Sequence, residues 1–202
     1  ECIQLLKQQE MLEQIDVKKI IAIAEAAGKE IMQIYDTDDF AVTDKSDNSP
    51  LTKADKAGNA VIVAALKEQY PQIPIISEEN KMIEYADRKD WNYFWLVDPL
   101  DGTKEFIKKN GEFTVNIALV RNGKPVLGVV GIPAKNQMYY AVENKGAYKI
   151  DENGVETKLL VNEPKTDEIA LIGSRSHPSP EFDAYLKDME SKFATVNFVP
   201  AG

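Results

Sequence analysis

Two aspartates and a threonine follow an apolar segment in the stretch Trp-Leu-Val-Asp-Pro-Leu-Asp-Gly-Thr, and these residue types could bind a cation and a phosphate. Asp98 and Asp101 are three residues apart, so a turn between them would direct both carboxylates, and the carbonyl of Leu100, toward one point. Hard cations such as Mg²⁺ prefer oxygen ligands of this kind. Gly102 and Thr103 then begin a predicted helical turn whose backbone N–H groups can bind an anion. The stretch therefore predicts a metal site beside an anion site.

The same stretch also has an ordinary structural interpretation. Asp, Pro and Gly are common turn residues, and an Asp-Gly pair often follows a strand without any chemistry. Two acids at the end of a buried strand nevertheless need a compensating charge, because burying a carboxylate without one is costly. This requirement favours the metal site.

A second acidic pair, Glu78 and Glu79, follows a predicted strand at residues 73 to 76. Adjacent acids at a strand end are usually only solvated. If this strand lies beside the one that ends at Asp98, however, both strand ends open on one crevice and the Glu78 carboxylate can join Asp98 on a metal. The two acidic segments would then contribute to one cation site.

The string Asp-Pro-Leu-Asp-Gly-Thr-Lys-Glu-Phe at residues 98 to 106 resembles the metal-binding signature of the inositol monophosphatase superfamily. With the Asn-Gly-Glu-Phe-Thr-Val-Asn segment at residues 110 to 116, it is similar to the CysQ branch, the 3'(2'),5'-bisphosphate nucleotidases. The resemblance extends from about Met11 to Gly202. It implies an α+β fold of the layered αβαβα sugar-phosphatase type.

The resemblance implies a metal-binding role for each acidic residue. Glu78 would hold a metal with Asp98, and Glu79 would mainly support it. Asp98 would bridge two ions, Leu100 would give its carbonyl to the first, and Asp101 would face the second. The implied cofactor is Mg²⁺, as two or three ions.

Asp55 and Thr103 are the catalytic candidates that the resemblance implies. Alone, Asp55 is equally well explained as an early-helix acid that complements the helix dipole, and Thr103 as an N-cap. The resembled family pairs the aspartate of a Thr-x-x-Asp segment, here Thr52 to Asp55, with the threonine of the Asp-Gly-Thr turn. A hydroxyl held by a carboxylate can accept a hydrogen bond from the attacking water and pass its proton on. The loop at residues 44 to 51 would cover the site as a mobile flap.

Substrate contacts are predicted at the metal site and near the only histidine. A lone histidine is more often a surface or capping residue, yet His177 follows a predicted strand at a point where an α/β crevice would bind a ligand. The Ser-Arg-Ser-His string is similar to the nucleotidase segment that contacts the sugar and phosphate of the nucleotide. The predicted substrate-binding residues are Glu78, Leu100, Asp101, Gly102, Thr103, Ser174 and His177.

The predicted function is that of a Mg²⁺-dependent phosphomonoesterase that converts 3'-phosphoadenosine 5'-phosphate to AMP and phosphate. An inositol or other sugar monophosphatase is the alternative within the same chemistry. A non-catalytic fragment that binds nucleotide or metal is the alternative from another class. The resemblance further implies inhibition by Li⁺, and the expected partner is a small phosphorylated nucleotide.

Composition excludes several other classes of protein. The chain of 202 residues has 24 Lys and Arg against 33 Asp and Glu, a net charge of −9, so it gains nothing from general attraction to nucleic acid or anionic lipid. Cys2 is the only cysteine, which excludes an internal disulfide framework and suits a reducing compartment. No apolar run approaches the roughly 20 residues of a membrane span. The expected location is the cytoplasm, with peripheral association at the inner membrane left open.

Mixed helices and strands are predicted to position these residues. Apolar residues at helical spacing predict an amphipathic helix over residues 12 to 35, and Thr52 with Asp55 predicts the capped start of a second helix. Asn122-Gly123 predicts a tight hairpin between strands at residues 113 to 121 and 124 to 131. A further hairpin is expected at Asn153-Gly154, and a strand, helix and strand follow from residue 168.

Three segments are expected along the chain. Residues 1 to 10 are interpreted as an upstream extension, residues 11 to 165 as an N-terminal metal-binding α+β domain, and residues 166 to 202 as an incomplete C-terminal α/β domain. The resembled family continues for several more helices and strands. We therefore expect a truncated chain that is inactive alone.

Overall fold

The first long helix begins at an aspartate cap in the computed structural model, which describes residues 11–37, 40–44, 50–161, 163, 166–174 and 179–201. The side chain of Asp16 accepts a hydrogen bond of 3.0 Å from the backbone N–H of Lys18, and helix α1 (Val17–Tyr35) follows. Asp16 itself is extended, because a capping residue has non-helical dihedral angles. The predicted continuous helix over residues 12 to 35 is therefore wrong at its start: residues 11–13 form a separate helical turn.

Helix α2 (Lys53–Gln69) begins as predicted at Thr52. The Thr52 hydroxyl accepts a hydrogen bond from the backbone of the first helical turn, and the Asp55 carboxylate accepts one from the Thr52 N–H, which is a complete capping box. Ile62 and Leu66 are fully buried on its inner face. The box fixes both the first residue of the helix and the orientation of the Asp55 side chain.

Seven strands form one mixed sheet among the described residues, and their order in the sheet is their order in the chain. They are β3 (Ile75–Ser77), β4 (Tyr93–Asp101), β5 (Thr114–Arg121), β6 (Lys124–Ile132), β7 (Gln137–Val142), β8 (Gly146–Ile150) and β9 (Glu156–Leu159). Strands β3 and β4 are parallel and the other neighbours are antiparallel. Short helices occur at Tyr85–Arg88 (α3) and Thr103–Ile107 (α4), and a 3₁₀ turn at Pro133–Lys135. A separate pair joins β1 (Thr43–Asp44) to β2 (Pro50–Leu51).

Tight turns join the antiparallel strands. Asn122 and Gly123 have φ angles of 49° and 76°, the left-handed pair that a two-residue hairpin turn requires, and they confirm the predicted β5–β6 hairpin. The predicted hairpin at Gly154 is confirmed between β8 and β9. A third hairpin, between β7 and β8, was not predicted. Its turn residues Asn144 and Gly146 also have positive φ, and they are the signal that could have revealed it.

The core of this unit lies between α1, α2 and the sheet, and an aromatic cluster extends it under the acidic segment. The Phe106 ring lies 5.1 Å from each of the rings of Tyr35, Phe40 and Phe113. Phe106 and Phe113 are fully buried. Because Phe106 belongs to α4, these contacts fix the short helix that follows Asp101 against the end of α1.

The chain divides into two compact units, Glu1–Leu159 and Leu160–Gly202. In the second unit, strands β10 (Glu168–Ser174) and β11 (Thr195–Ala201) are parallel and are connected by helix α5 (Pro180–Lys192). The predicted strand, helix and strand are confirmed. Among the described residues no helix is both long and apolar enough to cross a bilayer.

Phe106→Ala should lower the free energy of unfolding by about 3–5 kcal/mol, because it leaves a cavity among aromatic rings that cannot all collapse into it. Chemical denaturation measures this loss. Tyr85→Ala is the control, since the Tyr85 side chain is 68% exposed and its removal should change stability by about 0.5 kcal/mol at most. Equal losses in the two variants would contradict the assigned role of the cluster.

Candidate active site

Glu78 and Asp98 meet because β3 and β4 are parallel and in register. Ser77 pairs with Val97, and the backbone N–H of Glu78 donates to the Val97 carbonyl at 3.1 Å. Glu78 and Asp98 directly follow this pair, and the two carboxyl groups are close enough for the charge of Glu78 to raise the pKa of Asp98. The condition that the sequence left open, that these strands are neighbours, is therefore met.

A bulge in β4 directs Asp98 and Asp101 to the same side of the sheet. Asp98 pairs with Asn116 and Asp101 pairs with Thr114, so three residue steps on β4 match two steps on β5. Residues two apart on a strand share a face, and directly paired residues share a face as well. The Asn116 side chain accordingly donates to the Thr114 hydroxyl at 3.0 Å. Without the bulge, the two aspartates would point to opposite faces.

The Asp98 carboxyl has a strongly raised pKa. Burial, together with the negative charges of Glu78 and Asp101, raises the pKa of this carboxyl from the ordinary 3.8 to about 7. The Leu100 N–H, which donates to Asp98 Oδ1 at 3.2 Å, opposes this rise only in part. Gathered carboxylates of this kind are stabilised by a cation.

The residues present fit a hard divalent cation. The donors are all oxygens: the carboxylates of Glu78, Asp98 and Asp101 and the carbonyl of Leu100. Among the described residues no three His, Cys, Asp or Glu side chains form a ready metal-binding group. If these oxygens hold a Mg²⁺ ion, water or substrate oxygens would supply further ligands, as is usual for this metal.

Asp55 and Thr103, 48 residues apart, are in contact as predicted. The Thr103 hydroxyl donates to Asp55 Oδ1 at 3.2 Å, and the Leu100 carbonyl lies 3.4 Å from the same hydroxyl. Asp55 Oδ2 accepts from the backbone N–H and the hydroxyl of Thr52, at 2.7 and 2.6 Å. Asp55 is only 1% exposed, so these three donors replace water around it.

Gly102 allows the chain to reverse between the metal ligands and helix α4. Its φ is 89°, and a Cβ at this position would lie 2.8 Å from the Glu112 carbonyl oxygen. A side chain is therefore excluded both by the backbone angle and by the neighbouring backbone. Thr103 begins the helix directly afterwards, and its hydroxyl points back to Asp55.

A crevice of about 420 Å³ opens along this side of the sheet. Glu78, Asp98 and Asn116 line it together with apolar residues such as Leu96 and Val130. A second cavity, of about 600 Å³, lies between α1 and the 3₁₀ turn and contains none of the candidate residues. Of these two cavities, only the crevice is lined by candidate site residues.

The remaining predicted site residues lie elsewhere. Ser174 is exposed at the end of β10, in the second compact unit. His177 lies outside the described residues, as do residues 45 to 49 of the predicted flap. Their roles stay predictions.

Sequence reasoning missed a polar cluster of Asn59, Ser77 and Asn80 beside the acidic pair. These are common surface residues, and their spacing of 18 and 21 residues from Asn59 carries no local pattern. One signal was available, because Asn59 follows Asp55 by four residues and so lies on the same helix face.

Comparison with known proteins agrees with this geometry. The sequence pattern of the inositol monophosphatase family matches residues 11–201. The chain is 46% identical over 172 residues to the 3'(2'),5'-bisphosphate nucleotidase CysQ of Escherichia coli K12, which covers 85% of this chain and 68% of that protein. It is 35% identical over 182 residues to the CysQ of Haemophilus influenzae, with 89% and 67% covered.

A solved structure shows the same fold. The crystal structure of CysQ from Bacteroides thetaiotaomicron, a bacterial member of the inositol monophosphatase family, superposes with a TM-score of 0.77 at 42% identity. The match covers 92% of this chain and 72% of that one. The predicted layered α+β fold is confirmed.

The chain belongs to the inositol monophosphatase family. Its resemblance to the CysQ branch is also confirmed by these relatives. Members of the family are metal-dependent phosphatases, so the chain is a phosphatase.

Asp98→Asn should raise the melting temperature of the metal-free protein at pH 8, because it removes a half-buried charge that two neighbouring carboxylates repel. The ionised Asp98 destabilises the fold increasingly as pH rises from about 4 to the folded-state pKa of about 7. The gain should therefore be largest above pH 7 and vanish toward pH 4. Thermal melts of both proteins in chelator across this range measure it, and a gain that does not depend on pH would contradict the prediction.

Proposed function

We propose that this phosphatase is a Mg²⁺-dependent 3'(2'),5'-bisphosphate nucleotidase that converts 3'-phosphoadenosine 5'-phosphate to AMP and phosphate. The observation that carries the proposal is that the Thr103 hydroxyl, bonded to Asp55, also lies 3.4 Å from the carbonyl of Leu100, whose N–H donates to Asp98. The names of the relatives from Escherichia coli K12 and Haemophilus influenzae, both 3'(2'),5'-bisphosphate nucleotidase CysQ, support this choice of substrate.

We propose that Glu78, Asp98, Asp101 and the carbonyl of Leu100 hold two or three Mg²⁺ ions. When bound, such ions supply positive charge for the phosphate oxygens and the leaving oxygen and lower the pKa of a water. The net charge of −9 makes this local charge necessary, because the chain as a whole repels an anionic substrate. The half-buried position of Asp98 strengthens it, because fewer waters screen the site.

Thr103 is proposed to orient the attacking water. Its one hydroxyl hydrogen is directed to Asp55, so the hydroxyl oxygen presents lone pairs on its other side and can accept a hydrogen bond from a water. Asp55 is held by Thr52 and buried, which keeps the hydroxyl in this orientation. As the water attacks phosphorus, its proton can pass to Thr103 while the Thr103 proton passes to Asp55.

Substrate contacts are proposed at two places in the sequence. The backbone N–H groups at Gly102 and Thr103 would donate to the phosphate that is cleaved. Ser174 and His177 are proposed to contact the sugar and second phosphate of the nucleotide.

Substrate profiling tests the proposal. Phosphate release by the protein in Mg²⁺ should show a kcat/KM for 3'-phosphoadenosine 5'-phosphate at least about 100-fold above that for inositol 1-phosphate, which is a difference of roughly 2.7 kcal/mol at the transition state. A higher kcat/KM for inositol 1-phosphate would replace this proposal with that of a sugar monophosphatase. Equal rates with Ca²⁺, which accepts looser coordination, or without divalent metal would contradict the metal assignment.

Thr103→Val should lower kcat by about 10²- to 10⁴-fold, because it removes the hydroxyl and preserves the β-branched shape. Thr103→Ser is the matched control, since it keeps the hydroxyl beside Asp55, and its kcat should stay within about tenfold of the parent. Steady-state kinetics at saturating Mg²⁺ measure both. Similar kcat values for the two variants would remove Thr103 from the proton path.

A further inference from the structure

Helix α2 touches three parts of the active site with one face. Asp55 receives the Thr103 hydroxyl, and Asn59, four residues later, is bonded to the turn that carries Glu78. Between them, Gly58 has no side chain: a Cβ there would lie 3.4 Å from the Pro99 carbonyl oxygen and 2.9 Å from Ile31. Residues three and four apart are neighbours on a helix surface. The helix therefore lies against both acidic segments at once.

The amide of Asn59 holds the acidic turn at two points. The Ser77 hydroxyl donates to Asn59 Oδ1 at 2.6 Å, and Asn59 Nδ2 donates to Asn80 Oδ1 at 3.0 Å. Ser77 is only 6% exposed, so its hydroxyl depends on a protein partner. Ser77 and Asn80 are the residues on either side of the Glu78-Glu79 pair.

The turn itself is closed by backbone hydrogen bonds. The Asn80 N–H donates to the Ser77 carbonyl at 3.1 Å, and the Glu79 N–H approaches the Ser77 hydroxyl at 3.4 Å. These bonds set the local shape of the turn, and the Asn59 bonds tie that shape to the helix that holds Asp55. Glu78 is exposed and follows the last residue of β3, so its carboxylate takes its position from this turn.

We infer that Asn59 is a positioning residue of the metal site. It fixes the Ser77–Asn80 turn, and with it the Glu78 carboxylate, on the helix face that also orients Asp55 and Thr103. The inference rests on the proposed metal-binding role of Glu78. Outer residues that orient metal ligands are commonly worth 10- to 100-fold in metal affinity or activity.

Magnesium binding by calorimetry tests the inference without relying on turnover. With MgCl₂ as the only titrant, Asn59→Ala should raise the Mg²⁺ dissociation constant about tenfold, and its hydrolysis rate should recover as Mg²⁺ is raised. Asn153→Ala is the matched control, since Asn153 is exposed in the β8–β9 turn, and it should bind Mg²⁺ as the parent does. A purely structural asparagine would lower the melting temperature and leave the Mg²⁺ dissociation constant unchanged.

A double-mutant cycle identifies the route of the effect. Ser77→Ala should weaken Mg²⁺ binding by a similar factor, and the Asn59→Ala, Ser77→Ala double variant should bind about as weakly as either single variant, because both remove the same connection. If Asn59→Ala does not fold, Asn80→Ala at an exposed position removes one of the two bonds and should weaken binding about threefold.

A dissociation constant within twofold of the parent in Asn59→Ala, or in Asn80→Ala where that variant is needed, would overturn the positioning role. Effects of Asn59→Ala and Ser77→Ala that multiply in the double variant would overturn the shared route. A parent protein that binds no Mg²⁺ would overturn the proposed metal site as well. Parent binding with unchanged variants would overturn the Asn59 inference alone.

Discussion

The placement of Glu78 and Asp98 side by side in a half-buried crevice is the constraint on which the rest of the structure depends. Two carboxylates in contact repel each other, and burial adds to that cost, which is why the pKa of Asp98 rises to about 7. The fold maintains the arrangement through the parallel pairing of β3 and β4, whose backbone hydrogen bonds do not depend on the charges of Glu78 and Asp98. This arrangement costs stability locally, and the proposed binding of a cation would offset that cost.

Helix α2 connects the Glu78–Asp98 pair to Asp55 and Thr103. Its capping box orients Asp55, its glycine permits close approach to Pro99, and Asn59 reaches the turn that carries Glu78. A helix is stiff over one turn, so these contacts keep nearly fixed distances from one another. The aromatic cluster around Phe106 fixes α4 from the other side. The positions of the proposed catalytic residues therefore depend on these packing contacts as much as on the proposed metal ligands.

The membership of the inositol monophosphatase family gives this arrangement its chemical meaning. Phosphate ester hydrolysis requires charge stabilisation and a correctly placed water, and it needs no covalent nucleophile. The oxygen donors are suited to holding the cations that would stabilise charge. The Asp55–Thr103 pair is suited to placing the water. The choice among phosphate esters depends on residues that contact the leaving group, for which Ser174 and His177 are the proposed candidates.

The sequence by itself determined the residue types and the local elements. The capping box at Thr52 and the Asn122-Gly123 hairpin could be predicted, because each depends on neighbours within a few residues. The break before α1 was missed because the Asp16 cap interrupts an apolar pattern that favoured one continuous helix. The β7–β8 hairpin was missed because its turn interrupts a segment whose residue pattern favoured no break. Only the tertiary structure decided that β3 lies beside β4, that a bulge turns Asp101 to the side of Asp98, and that Asn59 meets Ser77. Those contacts join residues distant in the chain, and their energy depends on strand order and register, which no local pattern of residues specifies.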